Sequence, residues 1–203
     1  MFKEIEWLFF DVGSTLVDES RANKHRILDA IEGTGITYEQ AYAQAVCLAK
    51  QNIPHPLKCL GLPITPWHSE DEAVYPQAAE CLAQLHKQYK IGIIANQNPG
   101  TAARMKEYGL SQHLDLIIAS AEEGIEKPDL KIFQLALERA NCLPANAVMI
   151  GDRLDNDIIP AKRLGLKTIW IRQGFGGMGA VLTEEEAPDF CVDNLSELLD
   201  LFG

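Results

Sequence analysis

Six short apolar runs alternate with amphipathic stretches along this chain, and that alternation limits the fold more than any other feature. The runs fall at residues 5–10, 91–95, 116–118, 147–150, 168–171 and 190–192. Continuous apolar runs of this length suit strands buried on both faces, whereas a strand with one wet face would alternate. The stretches between them read as helices. Ala78, Leu82 and Leu85 share one helical face, as do Ile132, Leu135 and Ala136, followed by Arg139 and Ala140. Buried strands joined by helices predict an α/β fold, a parallel sheet with helices on both faces. Right-handed crossovers then bring the C-terminal ends of all the strands to one edge.

One interval breaks the pattern. Residues 18–66 offer helix signals but no convincing strand. Thr37-Tyr38-Glu39-Gln40 matches a capping box, with Ala41, Ala45, Leu48 and Ala49 following at helical spacing. Pro54, Pro56, Gly61, Pro63 and Pro66 then punctuate a loop. A parallel crossover needs only one helix, so the surplus reads as a helical insertion above the strand ends. The expected organisation is a core of residues 1–17 and 67–203, with a helical cap over residues 18–66.

A chain of 203 residues has room for this arrangement. Its formal net charge of -11 repels phosphate backbones and argues against nucleic acid as a partner. No apolar run reaches membrane-spanning length and no secretory leader pattern opens the chain, so it reads as a cytoplasmic protein with no membrane partner. Its five cysteines, Cys47, Cys59, Cys81, Cys142 and Cys191, form no CxxC pair and are expected to be buried free thiols. The segment Gly174-Phe175-Gly176-Gly177-Met178-Gly179 fits G-x-G-x-x-G, but no helix of useful length opens on its last glycine. It reads instead as a loop bordering the strand edge.

Four polar segments fall at successive strand ends, and a parallel sheet brings them together. They are Asp11; Ala95-Asn96-Gln97; Glu126-Lys127-Pro128-Asp129; and Asp152 through Asp157. Asp11, Asp152 and Asp157 supply the oxygen donors that a hard cation such as Mg²⁺ prefers. Carboxylates crowded this way are unfavourable unless a cation neutralises them. Lys127 adds a positive charge that can neutralise a bound anion or orient a nucleophile. A carboxylate, a cation and a lysine at one edge suit nucleophilic attack on a phosphoryl group.

At these residues the chain resembles the haloacid dehalogenase-like hydrolase superfamily. The matching pieces, in family order, are FFDVGSTL, IIANQ, EKPDLKIF and IGDRLDNDI. The resemblance implies a Rossmann-like core with a small helical cap. It also implies Asp11 as a nucleophile forming an aspartyl-phosphate, and Lys127 as the group that stabilises it. Asp11, Asp152, Asp157 and the backbone carbonyl of Gly13 would be the Mg²⁺ ligands, and a small phosphorylated metabolite the substrate.

Two positions depart from the family pattern. Gly13 stands where phosphatases of this family carry an acidic residue that protonates the leaving group and activates water, a role worth roughly 10²–10⁴-fold in rate. Ala95 stands where the family offers a hydroxyl to phosphate, leaving Asn96 or Gln97 as donors. These departures keep two other readings in view: a catalytically weak relative that binds a phosphorylated ligand or protein partner, and a dehalogenase or phosphonate hydrolase. Candidate cap contacts to substrate are Arg21, Lys24, His25, His55, Lys58, Trp67 and His68, with Arg153 on the core side.

Overall fold

The computed structural model describes residues 2–181 and 183–202. In chain order its elements are β1 (Trp7–Phe10), β2 (Val17–Asp18), α1 (Ser20–Ile31), α2 (Tyr38–Lys50), β3 (Ala73–Val74), α3 (Ala78–Leu85), β4 (Lys90–Ala95) and α4 (Thr101–Glu107). There follow β5 (Leu116–Ala119), α5 (Ser120–Glu123), α6 (Leu130–Ala140), β6 (Ala147–Gly151), α7 (Ile159–Arg163), β7 (Lys167–Ile171), β8 (Phe190–Val192) and α8 (Leu195–Phe202).

Six strands form one parallel sheet in the order β5-β4-β1-β6-β7-β8. Every apolar run of the sequence became one of them. Helices cover both faces, and the alternation of side chains shows why the strands had to be apolar throughout. Leu8 and Phe10 point to a core shared with Leu82 and Leu85 of α3 and Leu195 and Leu198 of α8. Phe9, between them, points the other way, onto Ile132, Phe133 and Ala136 of α6. The α6 stripe differs slightly from the expected one. Its buried residues are Ile132, Phe133, Ala136 and Leu137, whereas Leu135 is only partly covered.

Strand β1 is central, and in register its Phe10 lies between Ile93 of β4 and Ile150 of β6. The chain therefore leaves β1, β4 and β6 side by side at one edge, where the order of connection reverses. Such a switch point opens a crevice outside the strand ends.

Between β1 and β4 lie α1, α2 and a short 3₁₀ turn, Pro56–Cys59. The capping box at Thr37 forms as expected: Gln40 N donates to Thr37 Oγ1 at 3.3 Å, and Thr37 N donates to Gln40 Oε1 at 2.9 Å. The outgoing and returning passages pair as an antiparallel ribbon, β2 with β3, which the sequence pattern did not signal. Two-residue strands are too short for any periodicity. The cysteines correct another expectation. All five are free, but only Cys81 is buried, while Cys47, Cys59 and Cys191 are exposed. No helix among the described residues is long and apolar enough to cross a membrane.

Candidate active site

The connection leaving β1 is a tight turn built on one carbonyl. Val12 O accepts hydrogen bonds from the backbone N–H groups of Thr15, Leu16 and Val17, and Ser14 N donates to Val17 O at 2.7 Å. Ser14 takes the left-handed conformation at φ 55° to close it. Asp11, at the mouth of this turn, continues the sheet ladder by donating its backbone N–H to Ile150 O at 2.9 Å. Its carboxylate thus emerges at a fixed height over the strand edge. The Gly13 carbonyl accepts no backbone hydrogen bond from the described residues.

Lys127 reaches the same point from the connection before α6. Its Nζ donates to Asp11 Oδ1 and to Asp157 Oδ1, each at 2.6 Å, and the side chain is 1% exposed. Burial opposes its charge, but Asp11 and Asp157 outweigh burial and hold its pKa above the ordinary value. The Asn96 side chain fixes Lys127 in place. Asn96 Nδ2 donates to Lys127 O at 2.8 Å and Lys127 N donates to Asn96 Oδ1 at 2.7 Å. Asn96 thereby spends one of its two amide N–H groups on the lysine backbone and also lines the cavity. Gln97 lines the cavity, with its Oε1 accepting from Arg104 Nη2 at 2.9 Å.

Asp152 and Asp157 come from the end of β6 and the π-helical turn Leu154–Ile158 that follows. Asp157 Oδ2 accepts from Arg153 N at 3.0 Å. This approach depends on Gly151, because a Cβ there would lie 2.6 Å from Asp157 Cβ. Oxygens of Asp11, Asp152 and Asp157 lie within 4.8 Å of one another. Burial pushes Asp157 up to about 6, against the pull of Lys127. Asp152 stands outside the ion pairs, and burial, then Asp157 and Asp11, push its pKa well above the usual carboxylate range. Three carboxylates facing one ammonium are one positive charge short of balance even before the third is counted. An oxygen-binding divalent cation fits that donor set.

The cavity over this cluster measures about 650 Å³. Asp11, Gly13, Asp152, Arg153 and Asp155 line its floor, Asn23, Arg26, His55 and Lys58 line the side formed by the helical insertion, and Trp67 lines it from the segment that returns to the core. Of the expected cap contacts, His55, Lys58 and Trp67 therefore face the cavity. Arg21 and Lys24 do not: Arg21 is exposed, and Lys24 lies over the Tyr38 ring at 5.5 Å. His25 and His68 stack on each other at 3.6 Å and bond outward to Asp71 and Asp29, both at distances under 3 Å. Arg153 forks onto Asp155, with contacts of 2.6 and 3.0 Å.

The glycine-rich loop does border the site. Phe175, Gly176 and Gly179 line the cavity, and Gln173 Nε2 donates to Ser14 O at 3.0 Å and Thr15 O at 3.1 Å. Asn52, just past α2, clasps the far end of this loop through paired bonds with the Ala180 backbone at 2.7 and 2.8 Å.

Three cavity residues carried no signal in the sequence reading. Glu19, the residue before α1, turns its carboxylate into the cavity beside Gly13. Arg26, on α1, is stacked over Trp67 at 5.5 Å and has a buried Nε without a partner. Glu72 is held by Trp67 Nε1 at 2.6 Å and Tyr108 Oη at 2.7 Å. The missed clue for Arg26 was its phase. It lies one turn past Asn23 on the face opposite the solvated Arg21 and Lys24.

Comparison with known proteins agrees with this geometry. A family model described as haloacid dehalogenase-like hydrolase matches residues 67–165. The chain is 33% identical to a glyceraldehyde 3-phosphate phosphatase of Pyrococcus abyssi, over 84% of this chain and 82% of that relative. It is 30% identical to a ribulose-1,5-bisphosphate 5-phosphatase of Halopiger xanaduensis, over 89% of this chain and 80% of the other. In fold it matches the crystal structure of a predicted phosphoglycolate phosphatase from Haemophilus somnus, with a TM-score of 0.73 over the whole of both chains at 16% identity. A parallel sheet whose central strand ends in Asp11, with Lys127 and two further carboxylates gathered beside it, thus coincides with relatives that span nearly the full chain, and the protein belongs to the haloacid dehalogenase-like hydrolase family.

Proposed function

We propose that this protein is a Mg²⁺-dependent phosphatase acting on a small phosphorylated metabolite, with Asp11 as nucleophile. The observation that carries this reading is the pair of 2.6 Å contacts from the buried Lys127 ammonium to Asp11 and Asp157. That arrangement holds Asp11 in a fixed pose and leaves Asp152 beside it without an ion-pair partner. Asp11, Asp152, Asp157 and the Gly13 carbonyl would hold the cation, which when bound supplies positive charge to offset the phosphoryl oxygens.

The chain's own groups then account for the reaction. An Asp11 oxygen attacks phosphorus, and the bond to the substrate oxygen breaks. Lys127 stays paired with the nucleophile and offsets charge on the transferred group. Water then attacks the aspartyl-phosphate, freeing inorganic phosphate and restoring Asp11. Ala95 gives phosphate no hydroxyl, and Asn96 already gives one amide N–H to Lys127 O. Gln97, whose Nε2 remains available above the cavity floor, is the side-chain donor this reading assigns to phosphate.

Residues 18–66 act as the cap, with the β2–β3 ribbon as the neck. Arg26, Lys58 and His55 present cationic or polar groups from the cap to the body of the substrate. A short sugar phosphate, the class named in two of the relatives, fits a cavity of about 650 Å³ with room for water. Three clustered acids favour phosphoryl transfer over dehalogenation, which has no need of a cation.

The test is hydrolysis of a panel of triose, pentose and acyl phosphates with and without Mg²⁺. Turnover that requires Mg²⁺ and is lost in Asp11→Asn is expected. Equal turnover in Asp11→Asn rules out the assigned nucleophile.

A further inference from the structure

Position 13 poses a chemical problem for the reading above, on which this inference rests. The departing alkoxide needs a proton, and Gly13 has no side chain to give one. The space is nevertheless filled. A Cβ built on Gly13 would lie 2.8 Å from the Glu19 carboxyl carbon, and closer still to Oε1. Any side chain at residue 13 would enter the volume that the Glu19 carboxyl already occupies.

The Glu19 side chain is not used to cap its helix. Glu19 is the N-cap residue of α1, yet its side chain makes no cap hydrogen bond. It folds back into the cavity, where Ser14 Oγ donates to its Oε2 at 3.0 Å, while Oε1 is the oxygen over Gly13. Asp11 lines the same cavity. The other cavity glutamate of the neck, Glu72, has both oxygens engaged by Trp67 and Tyr108, and His55 lies across the cavity, 3.5 Å from Arg153.

We propose that Glu19 is the general acid and base of the reaction, delivering from the start of α1 the carboxyl group that Gly13 cannot carry. In the first half-reaction an Asp11 oxygen bonds to phosphorus and the P–O bond to the substrate breaks. The electron pair leaves on the substrate oxygen, which takes the Glu19 proton and departs as an alcohol. In the second, Glu19 carboxylate takes a proton from water as the water oxygen bonds to phosphorus. The P–O bond to Asp11 breaks, so that Asp11 leaves as carboxylate and Glu19 is again protonated.

The test compares Glu19→Gln with wild type on an alkyl phosphate that wild type hydrolyses and on p-nitrophenyl phosphate, whose leaving group needs little protonation. On the alkyl phosphate, kcat should fall roughly 10²-fold or more. On p-nitrophenyl phosphate, Glu19→Gln should release a burst of one p-nitrophenolate per enzyme and then stall, because the aspartyl-phosphate forms but water is not activated. Binding of beryllium fluoride with Mg²⁺, which needs no proton transfer, should match wild type and report an intact site. Glu19→Ser should lose activity likewise, and Gly13→Asp/Glu19→Ser should regain at least tenfold of it by returning a carboxyl to the same volume. Unchanged kcat on the alkyl phosphate in Glu19→Gln overturns the proposal. So does an equal loss on both substrates with no burst and no rescue by the double variant. If wild type itself turns over no phosphate ester and forms no phospho-Asp11, the phosphatase reading fails first, and this role with it.

Discussion

Asp152 is where the site's electrostatics are least balanced. Lys127 shares its single charge between Asp11 and Asp157 through 2.6 Å contacts, and Asp152 has no such partner. Removing its charge should therefore stabilise the metal-free protein. We expect Asp152→Asn to raise Tm in the presence of chelator by about 2–4 °C for each kcal/mol of repulsion relieved. Mg²⁺ is expected to raise the Tm of wild type but not that of Asp152→Asn. The pH dependence has a definite sign. Asp152 and Asp157 have raised pKa values in the fold, Asp157 to about 6 against an ordinary 3.8, so between these values the folded protein holds protons that the unfolded chain has released. The penalty is fully present above the folded pKa and fades as pH falls. The advantage of Asp152→Asn, read by thermal melts in chelator, should thus be larger at pH 7.5 than at pH 5. An advantage that grows on acidification would contradict this account of the cluster.

The same scale explains what the sequence could not disclose. Asp11, Lys127, Asp152 and Asp157 were legible because each falls in a segment that follows a strand, and a parallel sheet brings such segments to one edge without any knowledge of side-chain direction. Glu19 was not legible, since a glutamate before a helix reads as a cap. Only the backbone turn held by Val12 O folds residue 19 back over residue 13. An acid eight residues after the nucleophile, in a chain lacking one at position 13, was the available clue. Asn96 was assigned to phosphate because its type is right. Its hydrogen bonds to the Lys127 backbone depend on how two loops pass each other, which spacing does not encode.

Among the elements, α2 and the glycine-rich loop form a pair with a functional consequence. Asn52 holds Ala180 by two hydrogen bonds, and Tyr42 of α2 meets Phe175 at 5.8 Å. These contacts join the cap to the loop that covers Asp152, and they are exposed, so each contributes little to global stability. Asn52→Ala should cost less than about 1.5 kcal/mol of unfolding free energy. It should raise KM for the substrate while changing kcat less, because the cavity wall loosens and the strand-end residues stay in place. Urea denaturation together with steady-state kinetics reads both quantities. A fall in kcat at unchanged KM would mean that the clasp acts on the chemical step. Elements of this kind follow from loop closure rather than hydrophobic period. For that reason the six strands and the capping box at Thr37 were predictable, but the β2–β3 ribbon and the clasp were not.

At the scale of the whole molecule, one design decision organises the rest. Placing β1 between β4 and β6 puts three strand ends at a switch point, and the insertion after β1 roofs the crevice so formed. The apolar runs that announce the strands also dictate this, since both faces must be covered and the crossovers share one hand. The exposed cysteines mark the limit of such reasoning. Residue type predicts average burial, but Cys47, Cys59 and Cys191 fall on solvent faces that only the folded packing defines. The central claim is that this edge carries phosphoryl transfer through Asp11. The most direct measurement is mass spectrometry of the protein quenched in acid during turnover of a phosphate ester with Mg²⁺. The account predicts a single phosphoryl group on the peptide containing Asp11, absent without Mg²⁺ and absent in Asp11→Asn. Turnover at the wild-type rate in Asp11→Asn, or a phosphoryl group carried by a different residue, would contradict it.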